Sequence, residues 1–128
     1  MKNNIINIRL ARIKREGSPV YSYQLPVTAS NISVAIYVST QFPLSRKYQP
    51  LDSLEIVNNE PANNILVTIN NQDAYYCPAG TIRSVQGAGV ALWQVAIQNL
   101  GAGNTTLGLV RLNLKKEAMT IDKWAANH

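Results

Sequence analysis

Hydrophobic and polar residues alternate with a period of two along several short runs of the chain. The pattern is clearest in residues 30–40, 63–71 and 90–100, and it recurs in residues 5–15 and 20–26. Successive side chains of a strand point to opposite faces, so this period predicts half-buried β-strands. The residues predicted to face a core are Ile6, Ile8, Leu10, Tyr21, Tyr23, Leu25, Ile32, Val34, Ile36, Val38, Ile65, Val67, Ile69, Trp93, Val95 and Ile97.

The run over residues 105–115 changes phase in its middle. Leu107 and Leu109 share one parity, whereas Val110, Leu112 and Leu114 share the other. A change of phase beside Gly108 predicts a β-bulge, and a strand covered on both faces is the alternative.

Turn-forming residues separate these runs, chiefly in residues 17–19, 58–61, 78–80 and 101–104. Short strands divided in this way predict an all-β fold, a single antiparallel β-sandwich that is jelly-roll-like with about eight strands. We expect one domain over residues 1–128. Its flanks are a basic N-terminal strand or arm, residues 1–18, and a C-terminal arm, residues 115–128, which holds the only helical candidate. Residues 43–50, which begin and end with proline, are predicted to form a loop.

Charge is sparse and mostly basic. Charged residues make up 15% of the chain, the net charge is +5 and the isoelectric point is about 9.6. So few charges, against about 25% in an average soluble protein, suggest that much of the surface lies against other protein. The basic residues selected as partner contacts are Arg9, Arg12, Lys14, Arg15, Arg46 and Lys47. They could contact an acidic protein or phosphates, but the sequence has no nucleic-acid-binding motif, so nucleic acid is the less favoured partner.

The lone cysteine, Cys77, is the one candidate nucleophile. A reactive thiolate needs a nearby histidine, cation or helix N-terminus, and the only histidine is the terminal residue His128. Cys77 precedes Pro78, which favours an extended residue at the end of a strand, followed by a turn through Gly80. We therefore expect a structural cysteine and no intrachain disulfide.

No other constellation predicts catalysis, a cofactor or a metal. One cysteine and one histidine cannot build a zinc site, and the glycine-rich segments lack the lysine of a phosphate-binding loop. Glycoside hydrolysis requires a pair of carboxylates, and Glu55 and Asp73 would approach each other if their strands paired. Such pairs are common on sheet surfaces, so this one does not predict catalysis. The sequence therefore predicts a protein that is not an enzyme.

Aromatic residues offer a binding role. Exposed Trp or Tyr rings can serve as sugar platforms, and Tyr48 and Tyr76 are the residues to test for glycan binding. Trp124 stands in an otherwise polar terminal segment, so it is predicted to anchor the C-terminal arm in a groove. Charges interrupt the first 18 residues, which excludes a secretory signal peptide or a membrane span there, and we expect no membrane partner.

Residues 52–114, from "DSLEIVNNEPANNILVTINNQDAYYCPAGTIRSV" to "ALWQVAIQNLGAGNTTLGLVRLNL", resemble small β-sandwich virion structural proteins of bacteriophages and related viruses. The resemblance implies a non-enzymatic capsid decoration or minor capsid component, assembled into virions in the host cytoplasm. Its partners would be other virion proteins and further copies of itself in a homo-oligomer. Two alternatives remain open: a receptor- or glycan-binding module of a fibre or spike, and a protein that contacts nucleic acid through the basic N-terminal segment.

Overall fold

The computed structural model describes residues 20–86 and 89–116. The predicted N-terminal strand and arm therefore lie outside the described residues, as does the C-terminal arm beyond Lys116. Five predicted contact residues lie outside them too: Arg9, Arg12, Lys14, Arg15 and Trp124.

The described chain contains eight strands and two short helices. The strands are β1 Val20–Gln24, β2 Ser33–Tyr37, β3 Ser53–Asn58, β4 Ile65–Ile69, β5 Asp73–Cys77, β6 Thr81–Gln86, β7 Gln94–Asn99 and β8 Val110–Lys115. The helices are α1 Val38–Gln41 and a 3-10 helix, Pro43–Tyr48, both in the connection between β2 and β3.

The strands form two antiparallel sheets of four, ordered β1-β8-β3-β6 and β2-β7-β4-β5. Only the hairpin from β4 to β5 joins consecutive strands within one sheet, and every other connection crosses between sheets. This is the strand order of a jelly roll, in which two Greek keys fold into a double sheet. The predicted all-β, jelly-roll-like sandwich is confirmed.

The core lies between the two sheets and is built from the residues whose alternation is most regular. Ile36, Val67, Val95 and Ile97 of one sheet are buried against Leu54, Ile56, Leu112 and Leu114 of the other. Tyr21 and Tyr23 pack against this cluster at its margin. Regular alternation within a strand thus predicts its buried face.

The prediction that Trp93 faces the core is wrong. Its side chain is 49% exposed, whereas that of its neighbour Leu92 is 0% exposed. Leu92 takes the core position and forms an isolated bridge with Leu51. The backbone then bends, since the N–H groups of Trp93 and Gln94 both donate to Asn70 Oδ1 at 3.0 Å. The bend shifts the alternation by one residue and turns the indole outward.

Two further sequence predictions fail where turns begin or end strands. Ile32 is exposed because the preceding Asn31, at φ 62°, forms a turn and β2 starts only at Ser33. The change of phase near Gly108 marks neither a bulge nor a doubly covered strand. Gly108 adopts φ 86° in a turn closed by Leu109 N–H donating to Thr106 O at 3.2 Å, and β8 follows it.

The proline-bounded segment 43–50 is more regular than the predicted loop, because its first six residues form the 3-10 helix. Pro43 occupies the first turn, where a missing N–H costs nothing. Ser45 Oγ donates to Phe42 O at 2.6 Å, and the Phe42 ring lies 5.5 Å from that of Tyr21. These contacts hold the helix against β1.

Candidate functional site

Both ends of the described chain lie at the same end of the sandwich, which we call the arm end. Val20 opens β1 and pairs directly with Lys115, the last residue of β8. Residues 1–19 and 117–128 are therefore attached to neighbouring strands at one end.

The arm end also carries the two predicted contact residues that the structure describes. Arg46 and Lys47 are exposed in the last turn of the 3-10 helix, within the connection from β2 to β3 at this end. Lys47 Nζ lies 5.2 Å from the centroid of the Tyr48 ring, a cation–π distance. The fold thus brings Arg46 and Lys47 to the end where both predicted arms attach.

The first two residues of the predicted C-terminal arm belong to the sandwich. Lys115 is the last residue of β8 and pairs with Ser53 of β3. Lys116 Nζ donates to Pro50 O at 3.2 Å and lies 3.7 Å from Asp52 Oδ2, a largely buried carboxylate. These contacts join the end of β8 to the entrance of β3.

The opposite end, which we call the loop end, is closed by a buried polar network. Asn58 ends β3 at 0% exposure, and its Nδ2 donates to Asn63 O at 3.0 Å and to Cys77 O at 3.1 Å. Its Oδ1 accepts from Glu60 N–H at 3.1 Å. The Glu60 carboxylate in turn accepts from Thr106 N–H. The Asn58 side chain therefore joins the connection from β3 to β4 to the end of β5, and Glu60 extends the network to the connection from β7 to β8.

Asn99 repeats the arrangement at the end of β7. Its Nδ2 donates to Thr28 O at 2.9 Å and Gly103 O at 2.8 Å, and its Oδ1 accepts from Gly101 N–H at 2.9 Å. Within the described ranges, every buried side-chain nitrogen and oxygen has a hydrogen-bond partner. A satisfied buried network rigidifies its surroundings, which makes the loop end a structural element.

Cys77 lies where the sequence predicts it, buried at the end of β5 beside a turn. Its Sγ is 3.6 Å from Thr81 O and 4.0 Å from Ile56 O. The sequence predicts a turn with Pro78 in its second position and Gly80 in its fourth, but the turn starts one residue later. Thr81 N–H donates to Pro78 O at 3.2 Å, and Gly80 takes the left-handed position at φ 73°. The thiol is thus enclosed by the sandwich.

The two acids singled out as a pair are separated. Glu55 lies on the outer face of β3, whereas Asp73 opens β5 in the other sheet. The condition for their approach, that their strands pair, is not met, because the crossing connections place β3 and β5 in different sheets.

Arg83 links the sheets along the side where β5 and β6 are both edge strands. Its guanidinium carbon lies 5.2 Å from the Tyr75 ring centroid, and its Nη1 donates to Tyr76 O at 2.8 Å. Tyr75 and Tyr76 face opposite sides of β5, and of the two only Tyr76 is exposed.

The outer face of the sheet β2-β7-β4-β5 carries no charged side chain among its ten strand positions, and we call it the neutral face. In register across the four strands, one row is Ser33, Gln98, Leu66 and Tyr76, and the next is Ala35, Ala96, Thr68 and Ala74. Tyr37 and Gln94 complete it at the arm end. Sequence reasoning missed this surface, although the positions between the core residues of each run already lacked charge.

The outer face of the other sheet carries charged and polar side chains, together with the exposed apolar Val20 and Ile82. Arg111, Lys115 and Glu55 project from it. Ser22 Oγ donates to Asn113 Oδ1 at 2.7 Å, and Asn113 Nδ2 donates to Glu55 Oε1 at 2.9 Å, so a hydrogen-bonded chain crosses three strands. The two outer faces therefore suit different surroundings.

Of the two aromatic rings expected for glycan binding, one is exposed and the other is buried. Tyr48 is only 4% exposed and belongs to the core cluster, so it cannot serve as a sugar platform. Tyr76 is exposed as that role requires, and Tyr37 and Trp93 are exposed too.

Within residues 20–86 and 89–116, no group of three His, Cys, Asp or Glu side chains is arranged to hold a metal ion. In the same part of the chain, no helix has the length and hydrophobicity needed to cross a membrane.

No protein-family model matches this chain, and no curated protein matches it. The solved structures that are weakly similar include a mitogen, a viral coat protein and a cupin. The Yersinia pseudotuberculosis-derived mitogen is 10% identical, with a TM-score of 0.44 over 77% of this chain and 86% of the mitogen. The Tobacco streak virus coat protein is 14% identical, with a TM-score of 0.41 over 78% of this chain and 85% of the coat protein. An RmlC-like cupin from Desulfovibrio desulfuricans is 12% identical, with a TM-score of 0.33 over 77% and 71% of the two chains.

The structural neighbours therefore include a viral coat protein. At TM-scores below 0.5, these similarities carry no conclusion about this chain.

Proposed function

We propose that this chain is a non-enzymatic virion structural protein, a capsid decoration or minor capsid component assembled in the host cytoplasm, which acts in an oligomer through protein–protein contacts. The observation that carries the proposal is the arm end. Val20 and Lys115 pair there, beside exposed Arg46 and Lys47, so two flanking segments and a basic helix can engage neighbours together.

This arrangement favours a subunit whose body and flanking segments bind different surfaces at once. Several modest contacts made together give avidity that none provides alone. Arg46 and Lys47 would complement an acidic surface on a neighbouring virion protein, and the sequence-predicted contacts Arg9, Arg12, Lys14 and Arg15 belong to the segment attached at Val20. Likeness of residues 52–114 to small virion β-sandwich proteins agrees with this role.

The test is particle incorporation of a truncated chain. Lys115 and Lys116 make contacts within the sandwich, so the deletion should remove residues 117–128 and leave both lysines in place. We expect the truncated chain to keep its β-sheet circular dichroism spectrum and to disappear from gradient-purified particles. Trp124→Ala in the full chain should reproduce much of that loss if this residue is the anchor. Wild-type incorporation of the folded truncation would contradict the proposal.

Glycan or receptor binding is the second candidate, favoured by the exposed Trp93 that sequence alternation had assigned to the core. Aromatic rings with an apolar face and a polar edge suit sugar stacking. Glycan-array binding that is lost in Trp93→Ala or Tyr76→Ala, but retained in the matched exposed variant Leu107→Ala, would promote this function over the first.

A further inference from the structure

We propose that the neutral face binds a second copy of this chain, sheet against sheet. The inference rests on the proposed function in one respect, that the protein works as an oligomer, and it names the surface and the partner. The other oligomer contacts would come from the arm end.

Charge is the first argument for a second copy as the occupant. The chain carries a net charge of +5, so two copies repel each other unless they meet through surfaces without like charges. The neutral face provides such a surface, whereas the outer face of the other sheet presents Arg111, Lys115 and Glu55. Neutral side chains also cost less to remove from water than charged ones, and interface centres are depleted of charge.

Shape is the second argument. Tyr37 stands at the arm end of β2, and Tyr76 stands near the loop end of β5, so the two rings occupy diagonally opposite corners. The other two corners carry the short side chains of Ser33 and Ala74. A two-fold axis parallel to the strands would place Tyr76 over Ser33 of the second copy. It would place Tyr37 beside the partner's Ala74, just beyond the row that Ala74 shares with Ala35. Such a face is self-complementary, as a two-fold interface requires.

The middle of the face allows close approach. Ala35, Ala96, Thr68 and Ala74 form one row across all four strands, and none extends beyond a few atoms from the backbone. The tyrosines at the corners would close the edges of this shallow row against water.

The size of the face sets the strength of the contact. Four strands about 4.8 Å apart and five residues long span roughly 19 Å by 17 Å, or about 300 Å². A stable dimer buries about 800 Å² per partner, so this contact alone is weak, with a dissociation constant of about 0.1–1 mM. Repeated in an assembly of many copies, a weak two-fold contact is sufficient.

Sedimentation equilibrium of the full chain tests the proposal, from about 10 µM to about 1 mM in buffer near physiological salt. The wild-type mass should rise with concentration. Ala96→Arg, in the centre of the face, and Ala35→Arg, on its exposed edge strand, should weaken association at least tenfold. Ser84→Arg adds the same charge to the outer face of the other sheet and should associate as the wild type does.

A wild-type chain that stays monomeric to 1 mM would overturn the inference, as would association of both face variants equal to that of Ser84→Arg. Circular dichroism identifies any variant that does not fold. Concentration-dependent amide shifts in wild-type NMR spectra then decide, since shifts in β2, β7, β4 and β5 support the inference and association without shifts in these four strands refutes it. Normal particle incorporation of folded, non-associating face variants would leave the proposed function standing and place assembly on the arm end.

Discussion

Removing the Asn58 side chain should destabilise the fold severely. Asn58 is fully buried and makes three hydrogen bonds, two from Nδ2 to the carbonyls of Asn63 and Cys77 and one from Glu60 N–H to Oδ1. The three partner residues are themselves at most 8% exposed. In Asn58→Ala, these partner groups lose their hydrogen bonds where water has little access.

The magnitude follows from the count of bonds. Leaving a buried polar group without its partner costs about 1–3 kcal/mol, and three groups are left in this way. Rearrangement of the loops, which would let water reach some of them, keeps the expected loss in the lower part of the summed range. We therefore expect Asn58→Ala to lose about 3–5 kcal/mol of the free energy of unfolding. Small domains have about 5–15 kcal/mol in total, so the variant should be close to unfolded at 37 °C.

Urea unfolding at 25 °C, followed by far-UV circular dichroism, measures the difference, and Asn113→Ala is the matched control. Asn113 makes side-chain hydrogen bonds to Ser22 and Glu55, but it does so on the outer face of its sheet. Water can replace those bonds, so the control should lose less than about 1 kcal/mol. Equal losses in the two variants, or a loss below 1 kcal/mol for Asn58→Ala, would refute the claim that the loop end is dry and rigid.

Two further predictions concern close packing. Gly101→Ala would place a Cβ 2.8 Å from the Cα of Asn63 and should cost about 1–3 kcal/mol, while Gly103→Ala, with no atom within 4 Å, should be nearly neutral in thermal unfolding. Leu92→Ala should cost about 2–5 kcal/mol in urea unfolding because it empties a fully buried position, whereas the half-exposed Trp93→Ala should cost less than about 1 kcal/mol. Similar values for the members of either pair would contradict the packing described here.

Strand interiors could be predicted from the sequence, and strand ends could not. Ile36, Val67 and Ile97 are buried as alternation requires, because a strand held in a sheet cannot change face midway. The errors fall at Ile32 and Trp93, where turn geometry or a distant acceptor resets the phase. Local alternation contains no information about such contacts between segments remote in sequence.

The candidate surfaces required the topology. Arg46 and Lys47 attract notice as a basic pair, but their position beside the paired ends of β1 and β8 depends on the order of strands in the sheets. Likewise, the absence of charge from individual runs is visible in the sequence, whereas the neutral face emerges only when four strands are aligned in register. The separation of Glu55 from Asp73 likewise depends on the topology, which places β3 and β5 in different sheets.

The most direct test of the account is the copy number of this chain in purified particles produced from the genome that encodes it, measured by quantitative mass spectrometry against the major coat protein. The account predicts a fixed ratio that survives repeated gradient purification. Recovery of the chain solely in the particle-free fraction would contradict it.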